Sequence, residues 1–65
     1  MYKYRFFFLN GMCYDYKVSG VFSKKEMILG AAALMKQDYI TTDDRAINIA
    51  NVVMIEVIDA QEDTK

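Results

Sequence analysis

Few side chains in this 65-residue chain are of a kind that does chemistry. Cys13 is its one thiol, and it has no histidine. A thiol becomes a nucleophile when a base or cation beside it lowers its pKa. Lys17 shares a face with Cys13 but sits too far along the chain for that work, so Cys13 reads as a structural thiol. Asp43-Asp44 and Glu62-Asp63 are adjacent carboxylates. Hard cations need several oxygen ligands at set spacing, and these pairs read as solvated turn and tail residues. Gly11, Gly20 and Gly30 fit no phosphate-cradling loop. Acid–base work near neutral pH calls for a histidine or a tuned carboxylate in a cleft. We therefore expect no catalytic residue, cofactor or metal, and no enzyme.

Two other groupings suit binding. Lys3, Arg5 and Lys17 alternate along the N-terminal third with Phe7 nearby. Such a face could hold a single nucleic-acid strand by phosphate contacts and stacking. Any half-exposed antiparallel sheet also carries Lys and Arg outward, so the signal is weak. Phe7, Leu9 and Cys13, joined by Val52 and Met54, form an apolar cluster on the sheet face away from the helix, and Leu29 adds an apolar position on the helix. Clusters of this kind mark interfaces.

Those residues need a scaffold, and the length bounds it. A chain this short buries about 60% of the surface it exposes when unfolded. One cysteine forbids an internal disulfide, and without histidine a structural zinc site is not expected. A dense apolar core or self-association must supply the rest, and 54% hydrophobic residues with no proline suit both. Residues 1–36 carry six basic and two acidic side chains, net +4; residues 37–65 carry two and seven, net −5, giving −1 in all. Neither a secretory signal nor an apolar run of the ~20 residues a membrane span needs is visible. A lone thiol suits a reducing compartment, so a cytoplasmic location is expected.

Tyr2 to Leu9, YKYRFFFL, is dominated by aromatic residues and reads as a strand. Met12 to Val18 alternates apolar and polar residues with period two, so it reads as a second. A two-residue turn at Asn10-Gly11 would set Arg5 and Lys3 against Tyr16 and Val18. A three-residue loop, Leu9-Asn10-Gly11, instead pairs Phe8 with Met12, Phe6 with Tyr14, Tyr4 with Tyr16 and Tyr2 with Val18. All eight then share one face, with Arg5 opposite Asp15 and Phe7 opposite Cys13. A slip of one residue inverts every assignment. The favoured register sets Lys3 against Lys17, two like charges expected to splay into water.

Ser23 and Glu26 make a capping box, with Phe22 and Met27 placed as its hydrophobic staple. Helix formers follow from Lys24 to Gln37 or Asp38. Met27, Ile28, Ala31, Leu34 and Met35 form its apolar stripe, and Leu29 falls on the solvent side. Tyr39 to Arg45 reads as a connector. Ala46 to Ile58 is rich in β-branched residues and too long for one strand in so small a sheet. It divides into a short strand over 46–49, a bend at Ala50-Asn51, and a longer strand over 52–58. Residues 1–58 make one domain, and 59–65 are a polar tail expected to fray.

The expected fold is α+β: an antiparallel sheet of three strands, or four if 46–49 joins, in a ββαβ(β) order with one helix packed on one face. A helix of this length can carry the chain across to the far side of the first strand. The sheet order is then 2-1-3, with the first strand central. That accounts for apolar side chains on both its faces, Phe6 and Phe8 one way, Phe7 and Leu9 the other.

INIANVVMIEV, Ile47 to Val57, following the aromatic hairpin YRFFFLNG and a capped helix, resembles small uncharacterised proteins of Firmicutes and their phages. In those an IN-x-x-N-V-x-x-I-E stretch closes a compact ββαβ unit. The resemblance implies this fold and a mobile-element origin, and it brings no catalytic residues. The expected function is a non-enzymatic interaction module, a homodimer that also binds another protein. The alternative is a small single-stranded nucleic-acid-binding regulator using Lys3, Arg5 and Lys17.

Overall fold

A computed structural model describes residues 1–59 of the chain. Tyr2–Phe8 (β1) and Cys13–Lys17 (β2) form the N-terminal hairpin in the three-residue-loop register. Phe6 lies across from Tyr14, Tyr4 from Tyr16 and Arg5 from Asp15. The Phe8 N–H donates to the Met12 carbonyl at 2.9 Å, and the Gly11 N–H to the Phe8 carbonyl at 3.0 Å. Gly11 has φ of +87°, the left-handed conformation this loop needs at its third position. The register wins because it sends Tyr4 and Phe6 into the core, at 6% and 0% exposure. Met12, expected on that face, is exposed instead, because β2 begins only at Cys13.

Lys24–Leu34 (α1) starts at the expected cap: Ser23 Oγ accepts from the Glu26 N–H, and Glu26 Oε1 accepts from the Ser23 N–H. The anticipated staple ring, Phe22, is exposed and lies over Gly20. The helix ends earlier than its helix-forming residues suggest. After Leu34 the chain tightens into i→i−3 bonds, Lys36 to Ala33 and Gln37 to Leu34. Asp38 must then offer its carbonyl to the Ile49 N–H, which stops the helix. Met27 and Ala31 are buried and Leu34 packs beside them, whereas Ile28 and Met35 of the expected stripe are exposed. The Tyr4 hydroxyl links sheet to helix by donating to the Met27 carbonyl at 2.8 Å.

The segment expected to be a connector contains a strand. Tyr39–Thr41 (β3) pairs antiparallel with Ala46–Asn48 (β4), with Ile40 opposite Ile47, in a small sheet of its own. Three residues are too few to show alternation in sequence. The turn between them is closed by the Thr42 N–H on the Arg45 carbonyl at 2.7 Å. Ile47 and Ile49 are thereby buried. The expected bend is a single 3₁₀ turn, Ile49–Asn51, capped by Asn48 Oδ1 on the Ala50 N–H.

Val52–Asp59 (β5) pairs antiparallel with β1 on the side away from β2, giving the order β2-β1-β5 with β1 central. The 46–49 segment does not join that sheet. Phe7 meets Met54 but Phe8 meets Val52, so Val53 is an extra, bulged residue. Asp59 is the last residue of β5, opposite Tyr2. The rest of the expected tail, 60–65, lies outside the described residues.

Candidate interaction surface

On the sheet face away from α1 the three strands lay their side chains in rows. Lys17, Lys3 and Ile58 form one row, Asp15, Arg5 and Glu56 the next, and Cys13, Phe7 and Met54 the third. The hairpin register and the β1–β5 register together fix these rows, since facing residues of an antiparallel pair point the same way.

The charged rows are knit together. Arg5 donates to Asp15 twice, Nε to Oδ1 at 2.7 Å and Nη2 to Oδ2 at 2.9 Å. Lys3 Nζ reaches diagonally to Asp15 Oδ2, also at 2.9 Å. Lys3 therefore does not splay from Lys17 into water; it is 8% exposed, its stem lying along the sheet. The hydrogen bonds from Arg5, reinforced by Lys3, hold the Asp15 carboxyl well below the usual carboxylate range. Lys3 and Arg5 were candidates for gripping phosphate, and both are already engaged by a carboxylate. Lys17 is exposed.

The third row continues to the hairpin tip as an apolar surface. Phe7 is half-buried, Cys13 is exposed, Met54 is 48% exposed and Leu9 is 70% exposed. Val52 does not belong to it. The bulge at Val53 reverses the alternation between Val52 and Met54, so Val52 turns into the core at 6% exposure. Leu29 is exposed on α1, across the sheet from the other members. Val53 itself is exposed beside Met54, an addition that a bulge-free reading of the strand could not find.

A second polar group ties the two sheets together. The Tyr14 hydroxyl bonds to Thr42 Oγ1 at 3.3 Å and to Asp44 Oδ1 at 3.2 Å. Arg45 clasps Asp44 with Nε and Nη2, both at 3.0 Å, while its guanidinium carbon stands 4.1 Å from the Tyr14 ring centroid. Arg45 first, then Thr42, draw the Asp44 carboxyl down to about 2. Asp44 thus has a structural partner set in addition to its turn role. Among the described residues, no group of three or more His, Cys, Asp or Glu side chains could hold a metal ion. Every buried side-chain nitrogen or oxygen among them has a hydrogen-bond partner. No helix among them is long and apolar enough to cross a membrane.

No protein-family model, curated protein or solved structure matches this chain.

Proposed function

We propose that this chain is a non-enzymatic interaction module that acts by binding protein, itself included. The observation that carries the reading is the exposed apolar surface formed by Leu9, Cys13, Val53 and Met54 around half-buried Phe7. Apolar anchors of this kind supply most of the energy of protein interfaces, while rim charges mainly set rates and specificity. Asp15 and Asp44 are both held ionised by arginine, the opposite of the raised pKa a general acid needs. The resemblance at Ile47–Val57 fits a phage or mobile-element accessory protein working in the cytoplasm.

The single-stranded nucleic-acid reading has less in its favour, because Lys3 and Arg5 already lie on Asp15. Two measurements separate the readings. A fluorescent oligonucleotide titrated at low and high salt should show no salt-steep binding, which a phosphate-gripping face would produce. Light scattering on the same samples should show association that Leu9→Asp weakens. Salt-sensitive oligonucleotide binding abolished by Lys3→Glu with Arg5→Glu would replace this reading with the nucleic-acid one.

A further inference from the structure

α1 meets the sheet with one side only. Met27 and Ala31 are buried there, and Leu34 packs against the core. At about 100° per residue, the opposite side carries Lys25, Leu29 and Ala32, with Lys36 in the tightened turn that follows. Ile28 flanks this stripe on one side and Ala33 on the other. All six are exposed, Leu29 at 63% and Ile28 at 52%. The solvent side of a helix is ordinarily polar along its length. This one is apolar in the middle and cationic at its ends. The chain enters it through exposed Phe22 and through Val21, which at 96% exposure gives nearly its whole side chain to water.

Positive charge collects on the same side. Residues 1–36 hold six basic side chains. Lys3 and Arg5 lie on Asp15, and Lys17 belongs to β2. The other three, Lys24, Lys25 and Lys36, are exposed on or beside α1 and form no ion pair among the described residues. Lys24 and Lys25 stand in the first turn, where the helix dipole favours acids and opposes cations. The fold gains nothing from that placement. Glu26, the one acid of α1, is turned back onto the Ser23 N–H at 2.8 Å. The next acid, Asp38, comes beyond the end of the helix.

We propose that this outer side of α1 docks reversibly on an anionic lipid surface. Ile28 and Leu29 enter the interface, and Lys24, Lys25 and Lys36 meet the headgroup charge. Two other occupants fit less well. In a second copy packed stripe to stripe, Lys25 would face Lys36 if the helices ran antiparallel, and each lysine would face its own counterpart if they ran parallel. Like charges in contact suppress such pairing. The occupant must therefore bring negative charge to both ends of an apolar stripe about 16 Å long. An acidic protein of fixed shape would need a groove fitted to a convex helix. A fluid lipid interface moulds around one, takes up apolar side chains, and presents anionic charge wherever the lysines fall. The hairpin-tip surface lies on the other face of the sheet, so a docked chain keeps it open to a partner. The inference goes beyond the protein-binding reading and does not depend on it.

Sedimentation of the full chain with sucrose-loaded vesicles tests the docking. Vesicles of equal parts phosphatidylglycerol and phosphatidylcholine should carry the chain down, pure phosphatidylcholine vesicles should not, and raised salt should release it. Lys25→Glu with Lys36→Glu should lower the partition coefficient about tenfold or more. Ile28→Ser with Leu29→Ser should lower it by a similar factor. All four positions are exposed, so both variants should still unfold cooperatively in urea, which separates lost docking from lost folding. Leu9→Asp should sediment with the vesicles as the native chain does. Equal binding to neutral vesicles, or binding that survives Lys25→Glu with Lys36→Glu, would overturn the proposal. Binding that Ile28→Ser with Leu29→Ser leaves unchanged would reduce it to adsorption by charge and overturn the docked face. A chain left in the supernatant by anionic vesicles would overturn the lipid surface and leave an acidic protein as the occupant. A lipid-free oligomer that Leu29→Ser dissociates would give the face to a second copy and overturn it as well. The protein-binding reading stands or falls separately, on the light scattering of Leu9→Asp.

Discussion

The Tyr4 hydroxyl occupies the space that a β-carbon on Gly30 would enter: the two would stand 2.6 Å apart, while the ring carbon behind the hydroxyl would lie at 3.8 Å. The same hydroxyl donates to the Met27 carbonyl on the preceding turn of α1. Glycine inside a helix ordinarily costs about 1 kcal/mol relative to alanine. Here it lets the sheet approach the helix backbone closely enough for a buried hydrogen bond.

That geometry predicts a change of sign. Gly30→Ala should destabilise the chain by about 1–3 kcal/mol, since the added methyl must displace a well-packed ring. Tyr4→Phe alone should cost about 0.5–1.5 kcal/mol for the lost hydrogen bond. In the Tyr4→Phe background, Gly30→Ala should become neutral or stabilising, because only ordinary contacts remain and helix propensity prevails. Urea titrations of the four proteins form a double-mutant cycle. Additive effects would show that Tyr4 and Gly30 do not meet.

The cap makes a simpler case. Ser23→Ala should cost about 0.5–2 kcal/mol, read as a lower denaturant midpoint at an unchanged slope. An unmoved midpoint would mean that the capping box does not hold the start of α1.

Much of this arrangement is legible in the sequence where side-chain pattern and backbone demand coincide. The period-two run from Met12 to Val18 and the glycine at position 11 together select one hairpin register, and Ser23 with Glu26 marks the start of α1. What stayed hidden depends on partners distant in sequence. Tyr39–Thr41 becomes a strand because Ala46–Asn48 lies opposite and Tyr14 bonds to the turn between them. The bulge at Val53 has no glycine to announce it, so strict alternation puts Val52 on the face away from the helix and leaves Val53 out of the candidate surface. Lys3 looked destined for water because direct cross-strand pairing ignores diagonal reach; its long stem carries the charge to Asp15.

The second sheet should prove necessary to the core. Ile47→Ala removes a buried side chain and should cost about 2–5 kcal/mol. Val53→Ala, at the exposed bulge, should change stability by less than about 0.5 kcal/mol. Thermal or urea unfolding of both variants checks the contrast. Equal, small effects would mean that β3 and β4 are dispensable to the folded unit.

The Asp15 cluster predicts how the chain responds to acid. Its carboxyl is lowered in the folded state from an ordinary value of 3.8, first by the hydrogen bonds from Arg5 and then by Lys3. The folded chain therefore binds this proton less readily than the unfolded chain. A carboxylate lowered on folding contributes stability that is complete above its unfolded pKa and lost as pH falls toward the folded value. Asp44, drawn down to about 2 by Arg45, acts with the same sign. The denaturation midpoint should thus stay level from neutral pH to about pH 5 and fall steadily below pH 4. Asp15→Asn removes the carboxylate from between two cations, one of them nearly buried, and should cost about 1–3 kcal/mol at pH 7. Its effect should shrink as the pH drops, because the native carboxylate is then being lost as well. Raising the salt concentration should weaken the Arg5 contribution more than that of Lys3, whose side chain is the less exposed of the two. Urea titrations of the native chain and Asp15→Asn between pH 2 and 7 measure both curves. Parallel curves across that range would show that the Asp15 carboxylate does not stabilise the sheet.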